Sequence, residues 1–502
     1  MLCSSQLTSK HSRPFWAGPM LFTVAWLAFN PTASAQVADN ADSDLASPLV
    51  ERSQEFVSQL EGLESEVELI ESEFGPFDRQ LLEPLDTLAR LYLENEDRAT
   101  AQALLEQQLQ ILRISDGLYS TGQIPIIETI LDVATRAGDW QKSNDSLEYL
   151  SWLYQRDTSL SPQDKLNGMR KISTWHLLAL GKDLQEREAF HLVELAKIED
   201  RISEIAVQLY GEETIDIVPY IYNQALADMY IALAITITHD TSQELLLLTE
   251  GIQNRPSVLS GLSNSTLRTN ADIEAMYGSK ASTVIERSFK NNMNDSFSKL
   301  ERIKEIYIAN GDIEAEAMAL MYLGDSVLIR QQFENRPGEF AGIRRGTSST
   351  GNAMTYYREA LDTFAKAGLN ETEITNFTSC PVLIPIGHFA HRLPSNALHC
   401  HTRDADGTLD LGEYNLVATM IPGIEGTINS DEDSIAATVV FDVRTNGQIG
   451  RKDIIEITPD DTKSRVQVRK LLEITQFRPA IIAGDAVRTE QIRMQVNIPA
   501  SD

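Results

Sequence analysis

From about residue 50 to about residue 368 the apolar side chains recur at helical spacing, and from residue 434 to the end the period drops to two. Neither pattern can be laid into the other's layer, so the chain is expected to be α+β and multidomain: an all-α array over 50–370 followed by a small sheet domain over 434–502. A chain of 502 residues is long enough for each part to bury its own core.

The array carries internal echoes. In LLEPLDTLARLYLENEDRATAQALLEQQLQILR, residues 81–113, Leu85, Leu88, Ala89 and Tyr92 share one face of a first helix. Glu96-Asp97 makes a turn, and Ala101, Leu105 and Gln108 face back from a second helix. Small residues at 89 and 101 let the two helices cross closely while large ones fill the groove around them. The next unit, Ile127 to Tyr154, repeats the turn as Gly138-Asp139-Trp140, with an inserted loop holding Gly117 and Pro125. Gly311-Asp312 supplies the turn again, and FGPFDRQLLEP at 74–84 is echoed by LYGEETIDIVP at 209–219. A further helix is expected over 353–369, after a polar Gly/Ser/Arg-rich loop at 331–352.

This pattern resembles the tetratricopeptide repeat. The family's large, small and aromatic positions fall on Leu85, Ala89 and Tyr92, and its second-helix alanine on Ala101; Gln108 departs, standing where the family prefers alanine. The resemblance implies a solenoid, since a helix pair cannot bury its apolar face alone, and a surface for peptides or protein segments.

Residues 371–433 break the pattern with Pro381, Pro385 and Pro394, Cys380 and Cys400, and His388, His391, His399 and His401. LGEYNLVATMIPG within it suggests a strand. In the last domain Ile435, Ala437, Val439, Phe441 and Val443 alternate, Asn446-Gly447 suggests a hairpin turn of the primed kind, and Ile449 to Ile457 returns. A helix over 463–477 places Val468, Leu471 and Leu472 on one side, and Ile492, Met494, Val496 and Ile498 alternate in a closing strand.

This ββαβ order, with Phe477-Arg478-Pro479-Ala480 after the helix, Gly484 beyond it and Arg488 to Ile498 as the last strand, resembles the TonB C-terminal domain over roughly 65 residues. The resemblance implies capture of an extended peptide by addition to the edge of the sheet. Arg488, Ile492, Arg493, Met494, Gln495 and Val496 would form the partner-binding strand, with the last strand as the free edge. The energy transducers of that family also need a membrane helix bearing Ser and His and a Pro-rich spacer. The apolar run 14–29 has neither Ser nor His, and no Pro-rich spacer precedes 434.

The N-terminus reads as an address. Lys10, His11 and Arg13 precede that apolar run, and Ala33-Ser34-Ala35 fits a small-residue cleavage site, so 1–35 is expected to be a signal peptide and 36–49 a flexible leader. Residues 36–502 carry 41 Lys and Arg against 73 Asp and Glu, a net of −32. That sign excludes nucleic acid as an expected partner. The charge is uneven: 434–502 is +1 and 36–433 is −33. In an exported chain Cys380 and Cys400 are expected to pair, which would stabilise by about 3 kcal/mol in the chain-entropy picture.

Two constellations invite metal chemistry. The four histidines near the cysteines have no spacing of a structural zinc site. In DADGTLDLGE, Asp404, Asp406, Asp410 and Glu413 occupy calcium-loop positions, but Thr402 stands where the first aspartate belongs, and an Asp-Gly turn between strands is the better reading. No phosphate-binding glycine loop, nucleophile elbow or HExxH is present. The sequence thus predicts a periplasmic scaffold, not an enzyme and without a cofactor, whose partners are proteins or peptides of the cell envelope, a membrane protein among the candidates. The alternative is a transducer-like component of outer-membrane transport anchored by an uncleaved N-terminus. Oligomeric state is left open.

Overall fold

The helical spacing becomes a succession of helices that pack each on the next, three of whose joints share one turn design. The computed structural model describes residues 48–156, 159–181, 188–237, 281–334, 352–393, 407–414 and 434–499. The expected signal peptide, all but the last two residues of the expected leader, and most of the polar loop at 331–352 therefore lie outside the described residues. The chain divides into two units after Gly62. Of the first, 48–62 are described, as the start of α1 (Pro48–Phe74). Every element after α1 belongs to the second.

The array comprises α2 (Leu82–Glu94), α3 (Arg98–Ser115), α4 (Gln123–Arg136), α5 (Trp140–Arg156), α6 (Pro162–Gly181), α7 (Glu188–Tyr210), α8 (Val218–Ile237), α9 (Ala281–Asn310), α10 (Ile313–Glu334), α11 (Ala353–Lys366) and α12 (Glu371–Thr378). Each packs on the next. Three of the joints are the expected Glu96-Asp97, Gly138-Asp139 and Gly311-Asp312 turns. The first residue of each takes a positive φ of 63°, 72° and 72°. The N–H of each aspartate then donates to the carbonyl five residues back, of Tyr92 at 2.9 Å, Ala134 at 2.9 Å and Tyr307 at 3.0 Å, a Schellman closure. Each carboxylate in turn caps the next helix by accepting from the N–H of Thr100, Lys142 or Ala315. The echo between 74–84 and 209–219 is also structural: each forms a 3-10 turn, Arg79–Leu81 and Ile215–Ile217, that buries its last residue.

Leu85, Leu88, Ala89, Ala101 and Leu105 are buried as the spacing requires. Gln108 is buried too, its side-chain nitrogen without a hydrogen-bond partner among the described residues. Two helix crossings are closer than the sequence suggested. A Cβ on Gly168 of α6 would lie 2.2 Å from the Tyr154 ring, and one on Gly324 of α10 would lie 2.3 Å from the Tyr357 ring. Gly168→Ala and Gly324→Ala are therefore expected to destabilise by about 1–3 kcal/mol despite better helix propensity. Gly62→Ala, on α1 with nothing within 4 Å, is expected to stabilise slightly; unfolding midpoints of the three variants test the contrast.

The C-terminal sheet has four strands in the order β2 (Leu409–Tyr414), β8 (Thr489–Pro499), β3 (Ser434–Val443), β4 (Ile449–Thr458). Helix α13 (Thr462–Ile474) covers one face. Ile435, Ala437, Val439, Phe441, Val443, Ile492, Met494 and Val496 line that face with Val468 and Leu472 of α13, as the alternation predicts. The β3–β4 turn differs from the primed kind: only Gly447 has positive φ, and its N–H donates to Arg444, giving a type I turn closed by a left-handed glycine. Helix α13 also stops earlier than expected, at Ile474, and Phe477 lies on a strand, β5 (Gln476–Arg478). Pro479 separates β5 from β6 (Ala480–Ile482), which turns at Ala483-Gly484 into β7 (Asp485–Val487).

The expected boundary at 434 does not describe the packing. β2 joins the sheet from the region assigned to a connector, and β1 (Val382–Ile384) from the same region pairs antiparallel with β5.

Candidate functional site

The β1–β5 ribbon sits where two cores meet, and its period of two serves both. The paired Leu383 and Phe477 pack into the sheet core, where Phe477 lies 5.5 Å from the Phe441 ring. Their neighbours turn the other way. Ile384 joins the array core, and Arg478 reaches Asp325 on α10, donating from Nε to Oδ1 at 2.8 Å and from Nη2 to Oδ2 at 2.5 Å. The two side chains are 2% and 3% exposed. Tyr357 of α11 donates a third hydrogen bond to Asp325 at 2.9 Å. Burial works against the guanidinium charge, and Asp325 beside it more than offsets this, holding Arg478 above the ordinary arginine range. Burial and the same carboxylate raise the Tyr357 hydroxyl.

Further bonds extend the joint. Thr378 of α12 donates to the Ile481 carbonyl, and Arg358 of α11 to Gly484 and Asp485. Ile481 itself belongs to the array core. The segment after β1 lies against the array: Tyr222 donates to the Ile386 carbonyl, and Tyr322 donates to that of His388 and accepts from the N–H of Ala390. Phe389 stacks on Tyr322 and Tyr307 with centroids 4.8 and 5.8 Å away. Arg392 then pairs with Asp312 and Glu314 at an open cleft beside the α9–α10 turn.

Compared with protein-family models and with curated proteins, the chain matches none.

The residues assigned to a partner-binding strand are all on or beside β8, but β8 is not an edge. β3 pairs along one side from Thr489 to Pro499 and β2 along the other, with Leu409 opposite Ile492, Asp410 opposite Arg493, Glu413 opposite Gln495 and Tyr414 opposite Val496. Ile492, Met494 and Val496 point into the core, while Gln495 is exposed and Arg493 half-exposed on the other face. Arg488 pairs with Asp442 and Glu490. Among the described residues the outer sides of β2 and β4 are the open edges. β4 bears Arg451, Lys452, Asp453 and Glu456, the charged dress of an edge that does not add strands.

Four of the metal candidates, His388, His391, Asp410 and Glu413, fall among the described residues. Asp410 and Glu413 lie on a strand where a calcium loop would be leading into its exit helix, and Asp410 accepts from the N–H of Gly412. Asp404, Asp406, His399 and His401 lie outside the described residues. His391 bonds Tyr307, and burial lowers its pKa. No group of three potential ligands is assembled among the described residues. No described helix is long and apolar enough to cross a membrane. Cys380 is buried just before β1, and Cys400 lies outside the described residues. The pairing stands as a proposal: neither cysteine should alkylate before reduction, and two alkylated thiols in oxidised, exported protein would remove it.

Sequence reading missed a buried polar seam between α6 and α7. Ser173 donates to Glu199, and His176 meets His191 with their Nδ1 atoms 3.0 Å apart, all four buried. Burial raises Glu199 to about 7 against the hydrogen bond from Ser173, and burial with His191 lowers His176 to about 3.

Proposed function

We propose that the chain is a non-catalytic scaffold of the bacterial cell envelope, exported to the periplasm, in which a tetratricopeptide-like array and a TonB C-terminal-like sheet each hold a protein or peptide partner. The observation that carries this is the Arg478–Asp325 joint. A charged pair buried between array and sheet fixes two candidate binding surfaces to one another, which suits a protein that positions partners and adds nothing to a reaction. The recurrent Asp-capped turns support the repeat reading, and the ββαβ core of the sheet supports the TonB-like one. In this reading a partner adds to the sheet as a strand, at β8 only where β2 gives up its place, with Arg493 and Gln495 of β8 lying on the outward face.

Two measurements test it. N-terminal sequencing of the protein from a soluble periplasmic fraction should give Gln36; a retained apolar segment in membranes would favour the anchored alternative. A photocrosslinking residue at Gln495 or at Glu148 of the array, in cells that export the chain, should give discrete protein adducts. Absence of adducts from both positions overturns the scaffold reading.

A further inference from the structure

We propose that β2 is the resident occupant of a strand-accepting groove on β8, and that the partner which replaces it is an extended segment with an acidic residue between two apolar ones. The proposal rests on the docking function inferred above and names the chemistry of what docks.

Three observations on β2 carry it. Its attachment is the least extensive in the sheet: six residues, parallel to β8, with a register break between Asp410 and Glu413 where Gly412 takes a φ of 75°. β3, by contrast, pairs with β8 from Thr489 to Pro499. Parallel pairing is slightly the weaker kind per residue, and a bulge leaves part of the ladder unmade. Of its described side chains two are apolar and face the core, Leu409, 2% exposed, and the partly buried Leu411, against five buried ones on β3. Finally, β2 supplies one charge at the position where β8 presents its own. Asp410 sits 3.7 Å from Arg493, both partly exposed, an ion pair longer than a hydrogen bond.

Taken away from β8, β2 would leave a row of main-chain groups from Ile492 to Val496, the enclosed site of Leu409, the shallower one of Leu411 and a guanidinium between them. An incoming strand meets the same three demands, which β2 itself spells out as Leu409-Asp410-Leu411. Affinity then comes from the main chain and selectivity from the central acid facing Arg493. The β4 edge, crowded with charge of both signs, offers no comparable site.

Fluorescein-labelled peptide GTLDLGEY, residues 407–414 of the chain itself, is the probe, titrated into the full-length protein by anisotropy. The wild type, its groove filled, should bind at least tenfold more weakly than Leu409→Ser/Leu411→Ser, in which β2 is loosened. Arg493→Glu sets an acid against Asp410, so it should both loosen β2 and reverse the preference, binding GTLKLGEY at least tenfold better than GTLDLGEY. Circular dichroism identifies any variant that fails to fold, and Arg493→Glu keeps both leucines, so each variant checks the other. Equal binding by wild type and both variants, no binding by any, or an Arg493→Glu protein indifferent to the charge of the peptide overturns the proposal. Should these fail while Gln495 still yields adducts, docking stands and the groove on β8 is not its site; should the adducts also be absent, the docking function falls with it.

Discussion

Asp325→Ala is expected to destabilise the joint between array and sheet by about 3–5 kcal/mol, the cost of leaving one member of a buried pair uncompensated. The substitution strands the Arg478 guanidinium and the Tyr357 hydroxyl together, in a site where both are almost fully enclosed. Arg478→Met is expected to cost less, because Asp325 keeps the Tyr357 hydrogen bond and a long apolar chain refills the volume. Arg478→Met combined with Asp325→Leu should recover most of the loss, since two apolar side chains need no partner. The readout must separate the joint from the rest of the chain. Hydrogen exchange should rise in β1, β5 and α12 on Asp325→Ala while α2 to α5, which share no group with the pair, keep their protection. Exchange that rises everywhere would mean that the array, and not the joint, depends on Asp325. A fully protected β5 in the Asp325→Ala protein would mean that the apolar contacts of Leu383, Ile384 and Phe477 hold the two parts together without it.

The joint also explains how far the sequence could be read. The Asp-capped turns were visible because their chemistry is local: a residue able to take positive φ, then an aspartate that caps the next helix, whatever packs above them. The sheet was visible because one buried face imposes a period of two on β3 and β8. Part of β2 was read as a strand, from Leu411 onward, but its place beside β8 was not visible, because six residues with two acids and a glycine carry hardly any alternation, and its partner lies about eighty residues away. Arg478 was passed over for a different reason. It entered the reading as one position of the Phe477-Arg478-Pro479-Ala480 match, and that match called for no partner in the array. The indication was on the other side of the pair, since Asp325 is the one acid in AMALMYLGDSVLI, residues 317–329, and an acid buried in such a helix requires a cation. The same argument applied to Glu199 and to His176 would have drawn attention to α6 and α7.

Those two groups should pull the pH dependence of stability in opposite directions. Glu199, raised to about 7 from an ordinary 4.5, holds a proton in the folded chain between those values that the unfolded chain has lost. Its contribution is complete below pH 4.5 and gone above pH 7, falling by about 1.4 kcal/mol per pH unit between. His176, lowered to about 3 from 6.5, does the reverse: its contribution is complete above pH 6.5 and is lost at the same slope as pH falls towards 3. Between pH 4.5 and 6.5 the two slopes cancel, so this seam leaves wild-type stability level there. Glu199→Gln keeps the hydrogen bond to Ser173 and removes one titration, so its stability relative to wild type should climb with pH across that interval. His176→Phe removes the other, and its stability relative to wild type should fall across the same interval. Denaturant midpoints measured at half-unit steps from pH 4 to 7.5 decide it, with the difference from wild type cancelling the surface carboxylates common to all three proteins. Two difference curves of opposite slope would establish a protonated carboxyl and a neutral imidazole both enclosed between α6 and α7. A level Glu199→Gln difference would place a charged carboxylate in the seam, with Arg170 then serving as its counter-ion.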